Sequence, residues 1–264
     1  MAGMCLLLPE VPIYAAERVQ DPGENIVVVI DAGHGGQNRG ADEYGDPIEK
    51  DMTLVTAMAM RDELLRYDDV TVYMTRMGDV DMGLSERAEF AESVDADFLF
   101  SIHYNASEDH KAFGSEILVS KTAPYNAYAF QFGAIELTTL SEKGFYSRGI
   151  KTKNAVDGGD YYTLIRECSQ RGIPSVIIEH CFVDVEKDRS RCDSTAEQQA
   201  FGVADATAVA KYFGLSSAEL GKNYTDYAAN DLVDVNPDNL CFATIQNEDG
   251  TDELSIEQQS VDIY

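Results

Sequence analysis

The chain has 264 residues, long enough for one sizeable domain to bury a core without disulfide or metal staples. Its 47 acids against 20 bases leave a formal charge of −27, a field that repels nucleic acid and anionic membranes and argues against any polyanion-binding role. No run of about 18 apolar residues is present to span a bilayer, and five scattered cysteines without a CxxC pair argue against a thiolate zinc site and a dense disulfide framework.

In chain order, residues 1–25 begin with MAGMCLLLPEVPIYAAE, which lacks a basic start and is broken by Pro9, Glu10 and Pro12; they read as the stub of a clipped leader or as an irregular tail. Alternating apolar runs and helical patterns then predict an α/β domain with a largely parallel sheet over 26–215. Strands are expected at Ile26–Asp31, Val70–Thr75, Phe98–His103, Ser115–Ser120 and Ser175–Glu179. Helices are expected at Lys50–Tyr67, at Glu86–Val94 behind a Ser85 cap, at Tyr125–Leu140 and at Thr195–Phe213, with Gly214 as a stop. From Ser216 to 264 acids stand nearly unopposed with Lys222 as the lone base, which reads as an acidic linker or the start of a truncated module; Leu240 to Ile245 is a candidate short strand.

Two of the four histidines end apolar strands. His34 follows VVVID within a glycine turn, and His103 closes FLFSI with Asn105 two residues on; open α/β sheets place ligands at such carboxyl edges. Glu49 stands where the first long helix begins. A helix-start carboxylate is favourable in any case, and a single strand-end histidine is commonly a turn residue, but together the three make the two-histidine, one-carboxylate inventory of a catalytic zinc with an open position. HExxH is absent. Hydrolysis needs one more group to move a proton, and Glu179 at the end of SVII is an acid that burial would leave wanting a partner. Side chains alternate along a strand, so Glu179 and His180 point to opposite faces; Glu179 is the one taken to face the site.

The stretches VVVIDAGHGG, EKDMTL, LSERAEFAESVDADFLFSIHYNA, SRGIK and RGIPSVIIEHCF resemble, in order, the motifs of the zinc-dependent N-acetylmuramoyl-L-alanine amidases of the Amidase_3 family, over about Ile26 to Phe213. The resemblance implies a twisted, mostly parallel six-stranded sheet flanked by helices, with an acidic C-terminal tail beyond it. It also implies Zn2+ on His34, Glu49 and His103, Glu179 as general base and acid, and hydrolysis of the muramoyl-L-alanine amide of peptidoglycan outside the cell, at the wall. Two departures stand out: the family's glycine after the catalytic strand is Cys181, and a following asparagine is missing. The cell-division members' blocking insertion has no room here, since Lys121 to Arg148 holds one ordinary helix, so an accessible site is expected.

Physical chemistry adds outer residues. Asp31, three before His34, either orients a ligand imidazole or caps the glycine turn. Arg87 reads as a structural ion-pair partner on a helix surface. Arg148 is a candidate grip for the stem-peptide carboxylate, with Asn105 a second substrate contact. A monomer is expected. Two rival readings remain: a zinc peptidase acting on the stem peptide, because the same chemistry cleaves any amide, and a wall-binding module without turnover.

Overall fold

A continuous apolar run, IVVVI, gives the first strand two covered faces, and the rest of the fold is built on both. The structure, a computed structural model, describes residues 25–227 and the backbone of 244–246 and 252–254. The expected leader therefore lies outside the described residues, Asn25 apart. The elements run β1 (Ile26–Ala32), α1 (Glu49–Leu64), β2 (Val70–Met74), α2 (Leu84–Ser93), β3 (Phe98–Asn105), β4 (Ser115–Val119) and α3 (Tyr125–Glu142). They continue with β5 (Ser147–Lys153), α4 (Thr163–Gln170), β6 (Ser175–Phe182), α5 (Glu186–Arg189) and α6 (Thr195–Phe213), then two short pairs, β7 (Ser216–Ser217) with β8 (Lys222–Asn223), and β9 (Thr244–Gln246) with β10 (Asp252–Leu254).

The central sheet has the order β5-β4-β6-β3-β1-β2, parallel except where β4 meets β6. This is the six-stranded, mostly parallel sheet expected, and β9 extends its β5 edge in parallel with β10 beyond it. The strand at β5 has a single large apolar residue, Ile150, and α4 is only eight residues long, so neither is among the expected elements. One face holds Val28, Ile30, Phe98, Phe100, Ile102, Val176 and Ile178 against α1, α3 and α6. The opposite face holds Val29 and Leu99 against Ala88, Ala91, Leu164 and Cys168 of α2 and α4. Phe98 and Phe100 stack with centroids 4.5 Å apart, and Phe132 of α3 closes over Phe100 at 4.6 Å.

Local signals set the helix ends. Ser194 caps α6 with a reciprocal Glu197 contact, an arrangement that contributes about 1 kcal/mol, and Gly214 ends it in the left-handed conformation. The expected Ser85 cap is displaced: α2 starts two residues earlier, and the Glu86 carboxylate accepts from the Gly83 N–H at 2.7 Å. Packing also continues past the expected boundary at 215. Tyr224 stacks on Tyr67, Glu219 accepts from Arg66, and Lys222 lies 3.6 Å from Glu63, so residues 216–227 clothe the domain instead of leaving it. The one helix between Lys121 and Arg148, α3, packs on β4, β5 and α6 and leaves the sheet's carboxyl edge open.

Candidate metal centre

Parity along three strands decides which side chains meet. On β3 the odd positions Leu99, Ser101 and His103 face α2 and α4, and on β6 so do Ile177 and Glu179, while β1 delivers Asp31 to the same side. At the carboxyl ends of these strands a cavity of about 380 Å³ is lined by His34, His103, Glu179, Asn38, Tyr162 and Leu84, among others. The volume lies within the range of small-ligand clefts.

Glu49, the first residue of α1, reaches into this edge and gathers both histidines. Its Oε1 lies 3.0 Å from His34 Nε2 and 3.1 Å from His103 Nδ1, and accepts from the Tyr104 N–H at 3.1 Å. Its Oε2 accepts from the Ala41 N–H at 2.7 Å. Donor atoms of His34, Glu49 and His103 all lie within 4.8 Å of one another, the sole such group of three or more among the described residues. A tetrahedral zinc with bonds of about 2.1 Å sets its ligands roughly 3.4 Å apart, so the residues present fit that ion. Burial pushes the Glu49 carboxyl up, but the two imidazoles outweigh it and hold the group well below the usual carboxylate range. For His34 burial works against the imidazolium, and the Glu49 contact overrides it and raises the pKa.

The glycine turn serves this geometry. His34 itself sits at φ 62°, the left-handed region that non-glycine residues rarely occupy, with Asn38 Oδ1 2.9 Å from its Nδ1. That contact fixes the ring so that Nε2 faces Glu49. Asn38, four residues on, thus makes the imidazole contact that was one of the two roles open to Asp31. At Gly40, φ is +68°, and an added Cβ would collide with Glu49 Oε2 and come within 2.7 Å of His34 Cδ2. Gly40→Ala is accordingly expected to destabilise the fold by about 1–3 kcal/mol and to abolish stoichiometric metal uptake; denaturant titration and metal analysis of the purified variant check both parts.

Glu179 faces the cleft without a partner. Its Oε2 is buried and makes no hydrogen bond, and burial together with the nearby Glu49 and Glu116 carboxyls pushes its pKa well up, against a smaller opposing effect of Lys151. A buried carboxyl without a hydrogen bond in a cleft calls for a partner or a chemical role.

The outer residues are placed differently from expectation. Asp31 touches neither histidine ring: it accepts from Arg87 Nη1, from Thr75 Oγ1 at 2.6 Å and from Ser101 Oγ at 2.7 Å. Its effect on the turn passes through Arg87, which is buried, not on a helix surface, and donates to the carbonyls of Ala32 at 2.8 Å and His34 at 2.6 Å. The physical reason is parity: Asp31 points at α2, where it meets the Arg87 guanidinium. Asn105 donates to Glu116 Oε1 at 3.0 Å and Arg148 Nε to Glu116 Oε2 at 2.7 Å, with the guanidinium over the Phe182 ring at 4.9 Å. Glu116, which pairs directly across from Glu179, and Lys151, which donates to it at 2.7 Å, were not singled out from sequence; an acid inside the apolar strand SEILV was the available signal.

These pairs make the stability pH-dependent. Burial raises the carboxyls of Asp31 and Glu116, but Arg87 on one and Lys151 with Arg148 on the other outweigh it, so both lie below their ordinary values of 3.8 and 4.5. Their contribution is complete above the ordinary values and is lost as the pH falls through the depressed ones. Urea midpoints measured from pH 6 to 2 are expected to fall below about pH 4, less steeply in Asp31→Asn than in the parent chain.

The fold is an α/β domain with a His–Glu–His group at its sheet edge whose donors could hold a metal ion. The chain belongs to the N-acetylmuramoyl-L-alanine amidase family Amidase_3, whose model matches residues 28–211. It is 33% identical over 192 residues to the N-acetylmuramoyl-L-alanine amidase CwlM of Bacillus licheniformis, covering 72% of this chain and 70% of that one. Among solved structures, Cwp6 from Clostridium difficile superposes with a TM-score of 0.64 at 30% identity, over 70% of this chain and 29% of Cwp6. The catalytic domain of the CwlV amidase from Bacillus (Paenibacillus) polymyxa superposes with a TM-score of 0.61 at 25% identity, covering 71% of this chain and 97% of that one. Among the described residues no helix is long and apolar enough to cross a membrane.

Proposed function

We propose that the chain hydrolyses the amide between the lactyl group of N-acetylmuramic acid and L-alanine in peptidoglycan, as a zinc enzyme acting as a monomer outside the cytoplasmic membrane. The reading is carried by one observation: three donors of zinc-ligand type converge beside an unpartnered buried carboxyl in an open cleft. His34, Glu49 and His103 hold the ion, and Zn2+ in such a site supplies a Lewis acid for the carbonyl oxygen and lowers the pKa of water to about 7.

The chain's own groups do the rest. Glu179 takes a proton from the attacking water and delivers it to the departing alanine nitrogen as the C–N bond breaks, leaving a free lactyl carboxylate and an intact peptide. Its raised proton affinity suits a group that must both accept and release. Asn38 keeps the His34 ring in register, and Tyr162 and Leu164 line the cleft beside the reacting amide. Arg148, held at Nε by Glu116 with its side chain 28% exposed, is the cation we assign to a stem-peptide carboxylate.

Two measurements test this. Replacing His103 with alanine is expected to bring zinc well below one ion per chain by atomic absorption and to abolish lysis; full occupancy would remove His103 from the ligand set. Mass spectrometry of digested wall should show peptides starting with intact L-alanine, whereas cuts within the stem peptide would make the enzyme a peptidase.

A further inference from the structure

His180 is used by nothing described so far, yet it sits fully buried one residue after Glu179. Strand parity sends it through the sheet to the α1, α3 and α6 side, where its ring packs 5.3 Å from Tyr104 and 4.8 Å from Phe201. Its Nε2 faces both oxygens of Asp205, from α6, at 3.0 and 3.1 Å. Its Nδ1 lies 3.1 Å from the carbonyl oxygen of His103. A carbonyl only accepts, so Nδ1 is the donor. The β3–β6 register slips at this point, from His103↔Glu179 to Asn105↔Phe182, which puts one extra residue on β6 and gives the imidazole room to reach the neighbouring strand's backbone.

The bond matters because of which peptide it holds. The peptide unit joining His103 to Tyr104 presents its C=O to His180 on one edge and its N–H to Glu49 Oε1 on the other, at 3.1 Å. Glu49 Oε1 is also the atom that both histidines face. A continuous hydrogen-bonded line therefore runs from Asp205 through His180 and one peptide plane to the carboxylate of the metal centre, in a region where every member is buried or nearly so. Low dielectric makes each link polarise and stiffen the next.

We infer that His180, braced by Asp205, is a positioning residue for the metal centre: by gripping the His103 carbonyl it aims the Tyr104 N–H at Glu49 and fixes the carboxylate in its ligating pose. This rests on the zinc reading above. Outer partners of metal ligands are worth about 10- to 100-fold in affinity.

Two near-isosteric variants separate positioning from packing. In His180→Asn the amide nitrogen stands close to where Nδ1 stood and keeps the carbonyl bond; in His180→Gln it stands close to Nε2 and keeps Asp205 but loses the carbonyl. Zinc dissociation constants of the full chain, measured by competition with a chromophoric chelator, should rise about 10- to 100-fold in His180→Gln and stay within a few-fold in His180→Asn. Affinity in His180→Gln within twofold of the parent, or losses that follow the melting temperature equally in both variants, would overturn the assignment. Should neither variant fold, the nitrogen-15 spectrum of the metal-free parent decides: Nδ1 of His180 must carry a proton, and a bare Nδ1 overturns the inference. A parent chain that binds no zinc would instead refute the metal reading while leaving the His180 spectrum to be judged by itself.

Discussion

Glu179→Gln is expected to lower turnover on purified peptidoglycan about 10²- to 10⁴-fold, the span that a positioned acid–base group commonly supplies, while zinc content and fold persist. The amide keeps the shape of the side chain and cannot pass a proton. Stability should move the other way. Glu179 binds its proton more tightly in the folded chain than in the unfolded one, so the ionised form penalises folding, and the penalty grows as the pH rises from the ordinary carboxyl value of 4.5 toward the raised one. The glutamine variant escapes that penalty and should unfold at equal or higher urea than the parent at neutral pH. Lytic activity retained with zinc bound would remove Glu179 from the mechanism.

The second large effect lies behind the glycine turn. Arg87→Met should cost about 3–5 kcal/mol, because it strands a buried Asp31 charge whose other partners are only hydroxyls. It also releases the carbonyls of Ala32 and His34, which Arg87 now holds. Adding Asp31→Asn in the same chain should recover part of the loss, since the stranded charge then disappears. Equilibrium urea unfolding reads both; a loss below about 1 kcal/mol in the single variant, the level of an exposed pair, would mean the cluster is solvated.

Much of this was legible in the linear chain, for reasons that parity explains. His34, His103 and Glu179 end apolar strands, and a strand end in a parallel sheet has one edge to occupy, so convergence follows from topology alone. Glu49 was readable from its place at a helix start. The errors share a cause. Asp31 is open from sequence between orienting a ligand imidazole and capping the glycine turn, because its side chain is set by the helix it faces, and that helix carries Arg87, 56 residues away. Asn38 escaped notice because a loop asparagine has no pattern, and Glu116 because the antiparallel β4–β6 pairing that sets it opposite Glu179 leaves no periodic trace. The boundary at 215 was drawn on charge, yet Tyr224 and Tyr227 return to the core; two aromatics in an acidic stretch were the cue.

The position of β6 carries one more consequence. It is the last of the six central strands along the chain but stands third in from one edge, between β3 and β4. Without β6 the central order divides into β1, β2 and β3 on one side and β4 and β5 on the other, which meet only through it. The strand that sews them together is the one that brings Glu179. On the proposed mechanism, the strand that completes the sheet is thus also the one that supplies the proton-moving carboxyl.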